Sequence, residues 1–190
     1  MPSGGRTAIL LTPGAGADRN QSALLAIDSA ATEAGAEVIR MDFPYRKAGR
    51  RAPDKPPVLV RAIEEAAGEL RDRADRLVLG GRSMGGRMCS VAVAEGLVAD
   101  ALVLISYPLH PPGKPEKLRT EHFPNLRVPC LFISGTRDAF GTQEELEAAV
   151  SAIPGPVTME WVEGKDHSLR GSDPKVAATV VEWLRTRRII

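Results

Sequence analysis

The sequence predicts a doubly wound, mainly parallel α/β sheet of six strands, and it does so on three observations. Short β-rich apolar runs alternate with longer stretches of helical periodicity. The alternation continues along the chain without a break in composition. Glycine-rich turns follow the first and third apolar runs, where such a sheet passes from strand to helix.

The elements follow in order. A strand at 7–12 leads through Gly14, Ala15 and Gly16 into a helix at 20–34 that Gly35 stops. A second strand covers 37–43. The segment 44–57, rich in Pro and Arg, reads as a loop before a helix at 58–74, whose apolar residues recur three and four apart. Strand three covers 76–80, and Gly81-Arg82-Ser83-Met84-Gly85 turns tightly into a helix ending near Gly96. Strand four is 101–106. The connection 107–128 carries five prolines and no clear periodicity, and a segment that long inside a domain is usually functional. Strand five at 130–135, a helix at 142–152, strand six at 157–162 and a helix at 174–187 complete the chain. Val180, Val181 and Leu184 form the apolar face of the last helix.

With 190 residues, 43% of them apolar, the chain can build one core without metals or disulfides, so a single domain over 1–190 is expected. Lys and Arg number 25 against 24 Asp and Glu, a balance unlike that of a nucleic-acid-binding protein. Cys89 and Cys130 fall inside a predicted helix and a predicted strand, where a thiol behaves as a small hydrophobe. A reduced, cytoplasmic protein follows from that usage. Ile9-Leu10-Leu11 is too short for the core of a signal peptide, and no apolar run reaches the roughly 18 residues of a membrane span. No membrane partner, metal or cofactor is expected.

The chemistry centres on Ser83. In Gly81-Arg82-Ser83-Met84-Gly85 the flanking glycines permit a sharp strand-to-helix turn that lifts the hydroxyl above the carboxyl edge of the sheet, the G-x-S-x-G elbow. A serine needs a base to take its proton, and that base needs a third group to orient its ring. Asp138 follows strand five and His167 follows strand six, giving the order Ser, Asp, His, with each at the carboxyl end of a strand. Strands one and three are the expected central neighbours, which sets Pro13-Gly14-Ala15-Gly16 facing Ser83. The N–H of Met84, with that of Ala15 or Gly16, is then the expected oxyanion hole.

Strand-elbow-helix, a glycine turn after strand one and the ordered triad resemble the small serine α/β-hydrolases related to dienelactone hydrolase, over nearly the whole chain. The stretches Gly80-Gly81-Arg82-Ser83-Met84-Gly85-Gly86-Arg87 and Tyr107-Pro108-Leu109-His110-Pro111-Pro112-Gly113-Lys114 resemble a compact subgroup that includes relatives in an animal nonspecific-lethal chromatin complex. The resemblance implies a minimal α/β-hydrolase fold without the usual leading hairpin or a helical cap domain. It also implies hydrolysis, through an acyl-enzyme, of an ester-type bond in a small-molecule substrate. Dienelactone hydrolases carry cysteine where this chain has Ser83, and many relatives have His-Gly where it has Pro13-Gly14.

Other assignments compete at several positions. Asp166, Asp42 and Asp100 are alternative acids, but Asp166 adjoins His167 and reads as serving its loop, Asp42 ends strand two, and Asp100 precedes strand four at the wrong edge of the sheet. His110 and His122 are alternative bases, but neither follows the last strand as the base should. Arg46, Lys47, Arg50 and Arg51 read as a solvated basic loop, with attraction of a carboxylate or phosphate as the alternative. Gly14-Ala15-Gly16-Ala17-Asp18-Arg19 begins like a dinucleotide fingerprint, yet Arg19 stands where the third glycine belongs. A nicotinamide oxidoreductase and a non-catalytic interaction module thus remain as alternative classes.

Overall fold

Burial on both faces is what makes the central apolar runs read as continuous rather than alternating. The computed structural model describes residues 5–190. In it β1 (Thr7–Thr12), β3 (Arg76–Arg82), β4 (Ala101–Ile105) and β5 (Cys130–Gly135) form the middle of a six-stranded sheet, flanked by β2 (Glu37–Arg40) and β6 (Val157–Val162). Every pair is parallel and the order is β2-β1-β3-β4-β5-β6. The chain runs outward from β1 to β2 and then returns to β3, so the strand order reverses between β1 and β3. A crevice opens at that point beyond the carboxyl ends of the strands.

Six helices join the strands: α1 (Ser22–Glu33), α2 (Pro44–Lys47), α3 (Pro56–Arg71), α4 (Met84–Ala94), α5 (Gln143–Val150) and α6 (Asp173–Thr186). Strand side chains alternate between two cores. Ala8, Leu10, Leu77, Leu79, Leu102 and Leu104 pack with α3 and α4, whereas Ile9, Leu11, Val78, Val103 and Ile133 pack with α1 and α6. The result is a three-layer sandwich with the sheet in the middle.

Departures from the sequence expectation are local and have physical causes. Strand two ends at Arg40 rather than 43, because the chain turns inward after this edge strand to bury Met41, Phe43 and Tyr45. Segment 44–57 is not all loop, since Pro44 opens α2 from a position that suits proline's fixed φ. Strand three runs on to Arg82: Gly81 pairs with Thr12 and Arg82 with Ile105, so residues that read as a turn still belong to the ladder. The connection 107–128 contains a 3-10 turn at Phe123–Asn125. Tyr107 fixes it, with ring centroids 5.3 Å from Phe123, and Phe123 packs 6.1 Å from Phe132 of β5.

Candidate active site

Ser83 occupies the single residue between β3 and α4, with φ 52° and ψ −119°. A side chain at positive φ costs on the order of 1–3 kcal/mol, so the surroundings must impose this turn. They do so through close packing. A Cβ on Gly85 would lie 2.5 Å from the Pro13 carbonyl oxygen, and one on Gly81 would collide with the Thr12 side chain. Only glycines let β1 approach the elbow this closely. The Ser83 N–H donates to Ile105 O at 2.8 Å, anchoring the strained residue to β4.

Asp138 and His167, the expected acid and base, arrive on loops that dock against each other. Gly164 N–H donates to Thr136 Oγ1 at 2.8 Å, and Arg137 N–H to Lys165 O at 2.9 Å. A Cβ on Gly135 would strike the Lys165 carbonyl, so the end of β5 is as sterically constrained as the elbow. His167 Nδ1 consequently lies 2.8 and 3.0 Å from the two oxygens of Asp138, and Nε2 lies 2.9 Å from Ser83 Oγ. The carboxylate acceptor at Nδ1 places the ring proton there, leaving Nε2 to accept from the serine hydroxyl. Asp138, 2% exposed against 20% for His167, also accepts the Phe140 N–H at 2.8 Å. The Phe140 ring stacks on the imidazole, centroids 4.0 Å apart.

Arg82 is a part of the site that the sequence reading passed over as the variable residue of the elbow motif. Its Nη2 donates to His167 O at 2.5 Å, joining the neighbour of Ser83 to the loop that carries His167. Burial lowers its pKa from the usual value, with the Asp138 carboxylate opposing.

The competing residues are engaged elsewhere. Asp166 accepts from Ser168 N–H at 2.9 Å and Ser168 Oγ–H at 2.6 Å, bonds that hold its carboxyl below the usual range. Asp42 accepts the Arg19 N–H at 2.7 Å, and Asp100 accepts the Leu77 N–H at 2.7 Å at the opposite edge of the sheet. His110 Nε2 lies 3.3 Å from Glu145, and His122 Nε2 lies 2.8 Å from Ser90 Oγ. The basic loop does not reach the site: Arg46 pairs with Asp18 at 3.7 Å, Arg50 with Asp54 at 2.8 Å, and neither they nor Lys47 and Arg51 line the pocket at Ser83.

That pocket has a volume of about 530 Å³ and is walled by the Gly14–Ala17 turn, Ser83, Met84, Phe140 and His167. Gln21 Oε1 takes the Gly14 N–H at 3.1 Å, and Tyr45 O–H donates to Ala15 O at 2.8 Å, so the turn is held from both sides. The N–H groups of Ala15, Gly16 and Met84 find no acceptor among the described residues. Arg87 and Arg119 also line the pocket, and neither was singled out from the sequence. Arg87 was within reach of sequence reasoning, because four residues after Ser83 is the same face of a helix. Arg119 was not, since it sits in the aperiodic connection.

Outside the site, burial pushes the thiols of Cys89 and Cys130 up to about 12. No helix among the described residues is long and apolar enough to cross a membrane.

Residues 5–182 match a family model described as an alpha/beta hydrolase domain. The fold is similar to that of an alpha-beta serine hydrolase homologue from Coxiella burnetii, at a TM-score of 0.75 and 20% identity over 94% of this chain and 85% of that one. It is similar to Est1E from Butyrivibrio proteoclasticus, solved with ferulic acid bound, at 0.82 and 14% over 97% and 90%. Dienelactone hydrolase from Anabaena variabilis gives 0.76 and 20% over 98% and 88%. A match that runs from the start of β1 into α6, on a six-stranded parallel sheet of this order, establishes that the chain belongs to the alpha/beta hydrolase domain family.

Proposed function

We propose that the protein is a serine hydrolase that cleaves an ester-type bond of a small molecule through an acyl-enzyme. The observation that carries this reading is the unbroken hydrogen-bonded series Asp138–His167–Ser83, with every distance at or below 3.0 Å. In the proposed reaction Ser83 Oγ attacks the carbonyl carbon while His167 Nε2 takes the hydroxyl proton. Asp138 holds Nδ1–H and stabilises the imidazolium that forms. The developing oxyanion is met by the N–H groups of Met84 and of Ala15 or Gly16, which lack acceptors among the described residues. Collapse expels the alcohol, which receives its proton from His167. Water activated by the same ring then attacks the acyl-serine and releases the acid.

The buried thiols of Cys89 and Cys130 suit a reducing compartment, and we place the protein in the cytoplasm on that basis. Two other readings have less support. A nicotinamide site would need an acid at the end of β2 for the ribose, and Asp42 is held there by Arg19. A non-catalytic interaction module, suggested by the resemblance to chromatin-complex relatives, gives no reason for a strained serine to face a histidine–carboxylate pair. A serine-directed fluorophosphonate is expected to label the protein at Ser83, and 4-methylumbelliferyl esters of varied acyl length are expected to be turned over. Absence of both labelling and turnover would reject the hydrolase reading in favour of the interaction module.

A further inference from the structure

Three arginines line the pocket at Ser83, and they are not equivalent. Arg82 is engaged with the His167 carbonyl. Arg87 and Arg119 make no ion pair with any carboxylate among the described residues. Arg87 stands one turn along α4 from the nucleophile, and its Nε is buried without a hydrogen-bond partner. Arg119 is held in place by its backbone: its N–H donates to Leu109 O at 2.9 Å and its carbonyl accepts from Tyr107 O–H at 2.6 Å. Its own guanidinium has only a long 3.4 Å bond to Pro108 O.

The two cations also act on each other. Burial first, then the Arg87 charge, lowers the pKa of Arg119. Glu121 is the nearby acid, since its charge acts on Tyr107 and His122, but it is exposed and pairs with neither arginine. Two partly buried guanidinium groups facing one cavity without a counter-ion are unfavourable unless an anion enters. Guanidinium groups suit that task, because their planar forks match carboxylate and phosphate oxygens.

We infer that Arg87 and Arg119 form an oxyanion-group subsite, so that the ester cleaved at Ser83 carries a carboxylate or phosphate a few atoms from its scissile carbonyl. This specificity rests on the hydrolase reading above, whereas the anion site itself does not. The basic loop around Arg46, the sequence's own candidate for this task, has no part in it.

The test compares the mono-4-methylumbelliferyl ester of adipic acid with 4-methylumbelliferyl hexanoate, which match in length and differ in charge. Wild type is expected to favour the adipate at least about 10-fold in kcat/KM, mainly through KM, as a charge-assisted bidentate contact supplies. Arg87→Met and Arg119→Met should each bring that ratio down about 10-fold, while Arg51→Met, which removes one exposed charge elsewhere, should not change it. Turnover-independent binding is read by calorimetric titration of glutarate and of inorganic phosphate. Saturable binding of either that both Arg→Met variants lose supports the subsite, and the tighter ligand identifies the group. A ratio near one together with no saturable binding overturns the inference while leaving the hydrolase standing if hexanoate is cleaved. Anion binding without cleavage of either ester leaves the subsite standing and sinks the hydrolase reading instead.

Discussion

The two edges of the sheet each carry a depression, and the larger one, about 1000 Å³, lies at the amino edge, away from Ser83. There several of the polar groups are occupied by the fold. Asp100 accepts from the Leu77 N–H and from Arg71, Arg76 donates to Arg188 O at 2.7 Å, and Trp183 Nε1–H donates to Thr158 at 2.9 Å. At the carboxyl edge the smaller pocket collects groups the fold leaves available, three backbone N–H groups and two arginine side chains, beside Ser83 on its strained turn. Under the hydrolase reading, cavity size is therefore a poor guide to the site. The grouping of available donors in one pocket is the better one, because a folded chain tolerates such a cluster only where packing elsewhere imposes it.

Substitutions at the two edges should separate cleanly. Ser83→Ala is expected to lower kcat on the order of 10⁶-fold without lowering the unfolding temperature. Ester turnover retained in that variant would erase the contrast between the edges. Asp138→Asn keeps the shape but presents an amide that favours the wrong imidazole tautomer, so a loss of about 10⁴ in kcat is expected. Activity within a few-fold of wild type would transfer the acid's role elsewhere.

At the amino edge the effect should fall on stability instead. Asp100→Ala removes the acceptor of the Leu77 N–H and should cost about 1–2 kcal/mol in denaturant unfolding, with kcat/KM unchanged. A large loss of activity with little loss of stability would show that this edge takes part in function.

A stability effect of similar size concerns pH. Burial, then the charge of Arg87, lowers the His122 pKa to about 4, with Glu121 opposing. The unfolded chain takes up a proton near the ordinary value of roughly 6.5 that the folded chain accepts only near 4, so stability is full above that window and falls as the solution is acidified through it. After solvent screening the contribution is about 1–2 kcal/mol. His122→Gln should flatten the slope of unfolding free energy between pH 6.5 and 4 relative to wild type, and an unchanged slope would assign the acid sensitivity to other groups.

What the sequence made legible follows from where local and long-range forces agree. β1, β5 and β6 have their expected limits because apolar, β-branched runs there end at glycine, proline or charged residues. Ser83, Asp138 and His167 were readable because each follows a strand, and a parallel sheet brings all its strand ends to one edge. Strand two's early end was not readable, since burial of Met41 and Phe43 looks the same in a strand as in a chain diving into the core. Arg82 and Arg119 were equally obscure, because their roles depend on contacts across 85 residues in one case and on an aperiodic connection in the other.

The backbone of Ser83 sets selection for durability against selection for turnover at a single codon. Glycine would adopt φ 52° without the steric penalty serine meets there, so a library screened only for heat resistance should enrich glycine at position 83 and yield a sturdier, inert protein. If Ser83 is the nucleophile proposed above, screens on this scaffold that do not couple survival to catalysis would therefore drift toward losing it.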